Sequence, residues 1–479
     1  MPFSYGCFDG ILFSEVSGQV SSPRTIAIIG AGFSGAITAV HLLKGNMTGN
    51  LRVVLISRTE RMGQGLAYGT SSESHALNVP AGQMSAFPDE PDHFMNWLRR
   101  LNPNAQPGDF VRRYLYGAYL EEQLHDAERT TRCVFERSVG IVSDIEVPEK
   151  GSGIRLWFAD GRTLDADRVV LAVGNFPPLD PRSANSEFYK TPRYVRDPWD
   201  KGRLASIKET DGVLFLGTGL TMVDIATELH KRGISHMVGV SRRGLFPKAH
   251  RYPAKPPRPG LLPPQMLERP HTALTFLNRV RKQIDVCSAQ GVDWRDVIAS
   301  LRPVTQQLWD LLSTSERGRF LRHVRPYWEV HRHRIAPEAA FIVDRLVSDG
   351  ILKTVSGRVA GFEWTDSDVV VHVKTKGIEQ PRQFRVNYVI NCTGPGTNVG
   401  VMEDPLIQAL RRRSLIVSDG LGLGVETDDY GALRQPDGSI SSRLYHVGPL
   451  LKSRFWECTA VPELRIQARK LATLLLRPE

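Results

Sequence analysis

The chain has 479 residues, 41% apolar and 23% charged, the balance of an ordinary soluble globular protein with room for two or three domains. Its formal net charge is +10, yet the basic residues are scattered apart from short clusters such as Arg411-Arg412-Arg413, so anionic small molecules are expected as partners and nucleic acid is not. Cys7, Cys133, Cys287, Cys392 and Cys458 show no C-x-x-C spacing, the start of the chain lacks a signal-peptide pattern, and no apolar run approaches ~18 residues. These features argue against a disulfide framework, a zinc site and a membrane span, and they place the protein in a reducing cytoplasm.

Residues 1–23 read as an irregular leader. The next stretch, "TIAIIGAGFSGAITAV" from Thr25 to Val40, sets a G-x-G-x-x-G pattern directly after a buried-strand signal. Gly30 permits the tight turn, Gly32 lets the backbone approach a pyrophosphate, and Gly35 lets the following helix pack on the strand. The helix start then offers free N–H groups and positive dipole character to phosphate. Arg52 to Ile56 supplies the second strand of a βαβ unit. It ends in Ser57-Arg58 where such units usually carry an acid for the ribose; Ser57 can still bond that hydroxyl, and Arg58 can meet a phosphate.

Asn78 and Val79 lie in an apolar, proline-bounded loop, "LNVPAGQMSAFPDEP". The Asn78 carboxamide both donates and accepts, which suits a polar contact inside a dry pocket; closure of a local turn is the competing use. Arg112 opens an amphipathic helix over Phe110 to Leu124. The strands expected between Phe135 and Asn175 end in an apolar run and a glycine.

A second turn appears in "VLFLGTGLTMVDIATEL", Val213 to Leu229, with Gly217 and Gly219 in place and Met222 where a third glycine would stand. The strand after it, "HMVGVSRRG", ends in Ser241-Arg242-Arg243. No acid is there to repel a 2′-phosphate and two guanidiniums can pair with one, which favours NADPH over NADH; a solvated basic loop is the alternative. A stiff Pro-rich loop spans Tyr252 to Pro264, and helical sequence runs from Met266 to about Asp349, as a cover for a substrate pocket or as a packing layer. Within it His323, Arg325, His331, Arg332, His333 and Arg334 crowd together. Adjacent guanidiniums repel a metal cation, so the cluster reads either as a solvated basic face or as an anion site for a carboxylate substrate or a nucleotide phosphate. Val355 to Pro395 repeats the strand layout of Phe135 to Asn175.

The end of the chain carries a last strand in "LYHVGPL", with Gly448, and a helix in "TAVPELRIQARKLATLLL", with Thr459 as N-cap and Pro462 in the first turn. The fold class expected is therefore α/β, with two Rossmann-like dinucleotide-binding domains. The first occupies 24–202 and is completed by 396–479. The second occupies 203–395 and holds a helical insertion at about 266–349. Two dinucleotides side by side imply that one reduces the other.

This order resembles the two-dinucleotide flavoproteins of glutathione-reductase-like and flavin-monooxygenase-like fold, with FAD first and NADPH second. Leu77 to Pro91 is similar to the N-x-P-x-x-x-M-x-F-P-D-x-P stretch of flavin-containing monooxygenases, with one extra residue between Met84 and Phe87. "GTGLTMVDIATEL" is similar to their NADP-binding turn. "WEVHRHRIAPEAA" and "YHVGPLLKSRFWECTAVPELRIQA" resemble a bacterial group of FAD/NAD(P)-binding proteins related to nitrosuccinate-forming N-monooxygenases.

The resemblance implies oxygenation, with molecular oxygen, of the nitrogen of a small polar substrate such as an anionic amino acid or an amine, through a flavin C4a-peroxide. It implies that Asn78 faces the flavin and supports the oxygen adduct. Thr459, Ala460 and Val461 would offer backbone N–H groups to the reduced ring, and Arg112 would contact FAD. One departure stands out: the F-x-G-x-x-x-H fingerprint of oxygenating relatives is absent from "FYKTPRYVRDPWD", where Tyr194 occupies roughly the place of the His. A reductase or oxidase that inserts no oxygen therefore stays open, as does a flavin-bearing sensor or interaction protein. The substrate, product and oligomeric state are not fixed by the sequence.

Overall fold

The computed structural model describes residues 23–148, 153–182, 185–255 and 258–477. Almost all of the expected leader, and Cys7, lie outside the described residues. Two parallel sheets organise the chain. The first runs β16-β17-β7-β1-β2-β3, from β1 (Arg24–Ile29), β2 (Leu51–Ser57), β3 (Val134–Val139), β7 (Arg168–Leu171), β16 (Ala432–Arg434) and β17 (Ile440–His446). The second runs β11-β10-β9-β15-β8, from β8 (Tyr194–Val195), β9 (Gly212–Leu216), β10 (His236–Ser241), β11 (Leu352–Ser356) and β15 (Tyr388–Asn391). Each sheet carries a three-stranded antiparallel sheet on one face: β4 (Val142–Glu146), β5 (Ile154–Phe158) and β6 (Thr163–Ala166) on the first, β12 (Arg358–Trp364), β13 (Val369–Lys374) and β14 (Arg382–Val386) on the second.

The helices divide between the two. α1 (Phe33–Gly45), α2 (Gly65–Tyr68), α3 (His93–Leu101) and α4 (Arg113–Thr130) follow β1 and β2. α5 (Lys201–Ala205) precedes β9, and α6 (Leu220–Lys231) follows it. Between β10 and β11 come α7 (Ala273–Ala289), α8 (Trp294–Ser300), α9 (Thr305–Leu311), α10 (Thr314–Arg319), α11 (Arg325–Arg332) and α12 (Pro337–Ser348). α13 (Pro405–Arg412) and α14 (Val461–Leu475) belong to the returning C-terminal part.

The period of two in a strand explains the layering. In β1, Ile26 and Ile28 pack into the core shared with α1, α4 and α14, whereas Ala27 and Ile29 face the antiparallel sheet. β9 repeats this: Val213 and Phe215 face α6 and α12, while Leu214 and Leu216 face β12, β13 and β14. Central strands buried on both faces read as unbroken apolar runs, which is how they stand out in the sequence. β7 returns beside β1 in the first unit as β15 returns beside β9 in the second, and β17 then pairs with β7 to close the first sheet.

Helices α7 to α9 build a separate core of Phe276, Ile298, Leu301, Leu308 and Trp309. This core is completed by Leu423 and Trp456 from the returning C-terminal part. Trp309 stacks on Trp456 at 4.8 Å and its Nε1 donates to the Ser453 carbonyl at 3.1 Å. That anchorage holds the helical layer across both units and gives the space between them a roof.

Candidate active site between the two nucleotide turns

Both glycine turns adopt the backbone the sequence requires. Gly30 has φ +107° and Gly217 φ +99°, a region that favours glycine. A Cβ on Gly30 would collide with the Ala172 carbonyl, and one on Gly35 with the carbonyl of Gly30. Gly32 is the N-cap of α1 and Gly219 that of α6, and neither helix has a side-chain cap or an acid in its first turn. Each helix therefore presents an N-terminus suited to a phosphate. At the third position Met222 is fully buried in the core beneath α6, which explains how the second unit dispenses with that glycine.

A cavity of about 910 Å³ lies between the units. It is lined by Gly217 and Gly219 of the second turn, by Ser241, Arg242 and Arg243 after β10, and by Asn78 and Val79. Thr459, Ala460 and Val461 at the start of α14 also reach it. The structure thus brings these expected residues to one space. Gly30, Gly32, Gly35, Ser57, Arg58, Arg112 and Gly448 do not line it. Gly448, at φ +123°, instead backs onto Ser34 in the first turn of α1. The Ser57 hydroxyl accepts from the Thr59 N–H at 3.2 Å, and Arg58 pairs with Asp404 at 3.1 Å.

Two expectations are refined. The N-cap of α14 is Ala460, in extended conformation and without a side-chain cap, so Thr459 sits one residue before it. Arg112 is the N-cap of α4 and turns away to Glu338 at 3.1 Å. Its neighbour Arg113 faces the cavity: it binds the Ala76 carbonyl through Nε at 2.9 Å and Asp224 of α6 through Nη1 at 2.9 Å. A step of one residue along a helix rotates a side chain by about 100°, so the two adjacent arginines meet different surroundings.

The wall near β10 is strongly basic. Thr218 Oγ1 donates to Ser241 Oγ at 2.8 Å and the Gly244 N–H to the same oxygen at 3.0 Å, so Ser241 shapes the turn. Arg243 donates to the Tyr327 hydroxyl at 3.1 Å and lies over its ring. Burial, then Arg358, Arg325 and Arg243, lower the pKa of Arg242. Arg242 thus meets three other guanidiniums, and neither it nor Arg243 has a carboxylate partner among the described residues, so this wall suits an anion.

Deeper in, the other arginines are matched with acids. Arg251 holds Asp296 at 2.7 and 3.0 Å, Arg295 pairs with Asp293 at 3.2 Å, and Arg332 with Glu457 at 3.1 Å. Burial raises the Glu329 carboxyl, but Lys452, His333 and Arg325 outweigh it and bring it down to about 2. Arg334 forms no such ion pair among the described residues. Its Nε and Nη1 are buried without a hydrogen bond among the described residues, and burial followed by Arg332 and Arg295 lowers it to about 10. It was one of six basic residues in the sequence cluster; what distinguishes it is the allocation of acids to its neighbours. The other members divide. His323 is exposed away from the cavity, whereas Arg325, Arg332 and His333 line it.

Among the described residues no group of three or more His, Cys, Asp or Glu is placed to hold a metal ion, and no helix is long and apolar enough to cross a membrane. Tyr194, at the place of the missing fingerprint His, is buried in β8, donating to Asp180 at 2.7 Å and accepting from Asn391 at 2.9 Å.

Two parallel sheets, each with an uncapped glycine turn and an antiparallel flap, facing one another across a cavity, define an α/β fold of the two-dinucleotide type. Comparison with known proteins agrees. Residues 27–176 match the FAD-NAD(P)-binding family model, and no curated protein sequence matches the chain. Among solved structures, the L-lysine 6-monooxygenase of Pseudomonas syringae is similar with a TM-score of 0.64 at 17% identity, over 95% of this chain and 99% of that one. The ornithine N-hydroxylase of Kutzneria sp. 744, solved with reduced FAD, NADP+ and L-ornithine, gives 0.62 at 14%, over 95% and 99%. The FAD-bound cadaverine monooxygenase of Erwinia amylovora gives 0.60 at 14%, over 94% of each chain. At these identities the likeness establishes the shared fold.

Proposed function

We propose that the protein is an FAD- and NADPH-dependent monooxygenase that hydroxylates the nitrogen of a small substrate carrying a carboxylate. The observation that supports this reading is one cavity lined at once by the second glycine turn, the Asn78 loop, the start of α14 and Arg334, whose Nε and Nη1 lack a hydrogen bond among the described residues. Overall, R–NH2, O2, NADPH and H+ give R–NHOH, H2O and NADP+. When bound, FAD supplies the two-electron chemistry and the reaction with oxygen.

The residues present fit both dinucleotides. In the unit formed by 24–202 and 396–479, Gly30, Gly32 and Gly35 supply the tight turn and the uncapped start of α1 that a pyrophosphate would meet, and Ser57 stands at the strand end for a ribose. Val79 and the N–H groups of Thr459, Ala460 and Val461 border the cavity on that side. In the unit formed by 203–395, a Cβ on Gly219 would meet nothing within 4 Å, so the backbone is open to a close approach. Arg242 and Arg243, with Arg325 and Arg358 behind them, supply the charge for a 2′-phosphate. Arg334 holds the substrate carboxylate, and Asn78, whose carboxamide makes no hydrogen bond among the described residues, is free to bond groups at the reacting end.

The deciding experiment supplies the yellow holoenzyme with NADPH, oxygen and paired substrates, each amino acid beside its decarboxylated amine. An N–O product from carboxylate-bearing members, and little from the amines, supports the reading. NADPH use that yields only hydrogen peroxide with every member refutes it and supports the second reading, an oxidase or reductase without oxygen insertion. The role of Tyr194 as a buried structural hydroxyl in place of a fingerprint His favours that alternative.

A further inference from the structure

We propose that His250 is a positioning residue for Asn78, holding the Asn78 peptide so that its carboxamide stays aimed into the cavity; this rests on the role given to Asn78 above. His250 Nε2 lies 3.0 Å from the Asn78 carbonyl oxygen. A carbonyl only accepts, so Nε2 carries the proton and donates. The contact crosses between the units: Asn78 lies in the segment between β2 and β3, and His250 follows β10.

The surroundings show why this bond matters. On either side of Asn78 the loop is tied by its backbone, Leu77 N–H to Val111 at 2.8 Å and Ala81 N–H to Asp109 at 2.9 Å. Between those ties Pro80 has no N–H to give, and the Asn78 carbonyl has His250 as its hydrogen-bond donor among the described residues. Without that donor the peptide plane after Asn78 can rotate, and the carboxamide on the same Cα loses its fixed direction.

His250 is itself rigidly held. Its N–H donates to the Ile335 carbonyl at 2.9 Å, and the Ile335 N–H to Lys248 at 3.0 Å, while the Phe110 ring lies 5.0 Å away. Ile335 directly follows Arg334, so the anion anchor and the Asn78 clamp share one support. Burial, then the charge of Arg334, lowers His250 to about 4, so the ring is neutral near pH 7 and needs no carboxylate to keep it in place.

The test compares His250→Leu, which cannot donate, with His250→Gln, whose amide can, in FAD-loaded protein. Flavin content, the visible flavin band, KM for NADPH and hydrogen peroxide formed per NADPH are measured. H250L is expected to keep its flavin and its KM for NADPH within about twofold, to shift the flavin band, and to leak about tenfold more peroxide, the scale of one lost buried hydrogen bond. H250Q is expected to restore most of the coupling and the band. In parallel, 15N-imidazole NMR of the wild-type protein should show a neutral His250 with its proton on Nε2 between pH 5 and 8.

Identical behaviour of H250L and H250Q, or a proton on Nδ1, overturns the proposal. If H250L fails to hold FAD, H250Q and the NMR tautomer decide the matter. If wild-type protein makes only peroxide, the monooxygenase reading falls by itself, and the flavin band and the tautomer still test His250.

Discussion

The two glycine turns share one backbone and differ in what covers them. Over the first, the chain lays its own cover: the Gly63 N–H bonds the Ala31 carbonyl at 2.7 Å, and a Cβ on Gly32 would lie 3.5 Å from the Gly65 Cα. Over the second, a Cβ on Gly219 would meet no described residue within 4 Å, and the turn lines the cavity. The strand ends diverge the same way. Arg58 beyond β2 is paired with Asp404, while Arg242 and Arg243 beyond β10 have no carboxylate partner among the described residues. The same short motif can thus serve a dinucleotide enclosed by the fold and one that enters and leaves, and the difference is made by residues outside the motif.

Substitution at the glycines breaks this comparison most sharply. Gly30→Ala forces a side chain into the Ala172 carbonyl at positive φ, and the expected cost of several kcal/mol (~3 or more) should abolish flavin retention and lower the melting temperature by more than about 6 °C. Gly219→Ala meets no atom within 4 Å, so its melting temperature should stay at the wild-type value while KM for NADPH rises about tenfold. Calorimetry and steady-state kinetics on the two variants check the pair; equal thermal losses would refute the contrast.

Charge gives the next largest effect. Replacing Arg242 and Arg243 together by alanine should raise KM for NADPH about 100-fold while leaving KM for NADH nearly unchanged, because only the 2′-phosphate loses its charge-assisted hydrogen bonds. Arg58→Ala, which removes one exposed ion pair, should change neither flavin content nor stability by more than ~1 kcal/mol. Equal losses for NADPH and NADH in the double variant would mean that the pair binds something common to both nucleotides.

What the sequence revealed, and what it hid, follows from the same distinction. Gly30, Gly35 and Gly217 were legible because a positive φ or a backbone collision leaves glycine alone possible, a demand written within a few residues. The layering was legible because β1 and β9 are buried on both faces and therefore unbroken in their apolar residues. Arg334 could be listed among basic neighbours but not singled out, since its isolation depends on which acids reach Arg251, Arg295 and Arg332. One of those acids, Glu457, comes from the C-terminal part of the chain. His250 had no local signal at all: its partner is a main-chain carbonyl 172 residues earlier. Arg113 carried no signal of its own, because a helix start cannot be fixed from pattern finely enough to say which of two adjacent arginines faces the cavity.

Arg334 sharpens the comparison from the substrate side. Arg334→Gln keeps a hydrogen-bonding amide but shortens the side chain and removes the charge, and it should raise KM for a carboxylate substrate about tenfold or more with KM for NADPH unchanged. Amines without a carboxylate should be affected little. A parallel rise for NADPH would move Arg334 to the nucleotide, and an unchanged KM for every substrate would remove it from the site.

The gentlest difference between the units is their response to acid. His41 and His446, both in the first unit, are lowered to about 4 and about 3, in each case chiefly by burial. Among the described residues the Nε2 atoms of both rings are buried without a hydrogen bond, so protonation gains no partner to offset it. Their folded pKa values lie below the unfolded value of about 6.5, so the unfolded chain takes up the protons first. Stability from these groups is therefore complete above pH ~6.5 and is lost as the pH falls from there toward 4, by up to ~1.4 kcal/mol per pH unit for each group. Flavin release followed by fluorescence should accordingly begin between pH 6 and 4.5, and His446→Leu should flatten that dependence without changing stability at pH 8. In the second unit His250 is, among the described residues, the histidine lowered in this way, to about 4, one group against two, so NADPH binding should weaken less steeply with acid than flavin retention. Loss of the nucleotide before the flavin, or an unchanged acid response in H446L, would reverse the order of the two units.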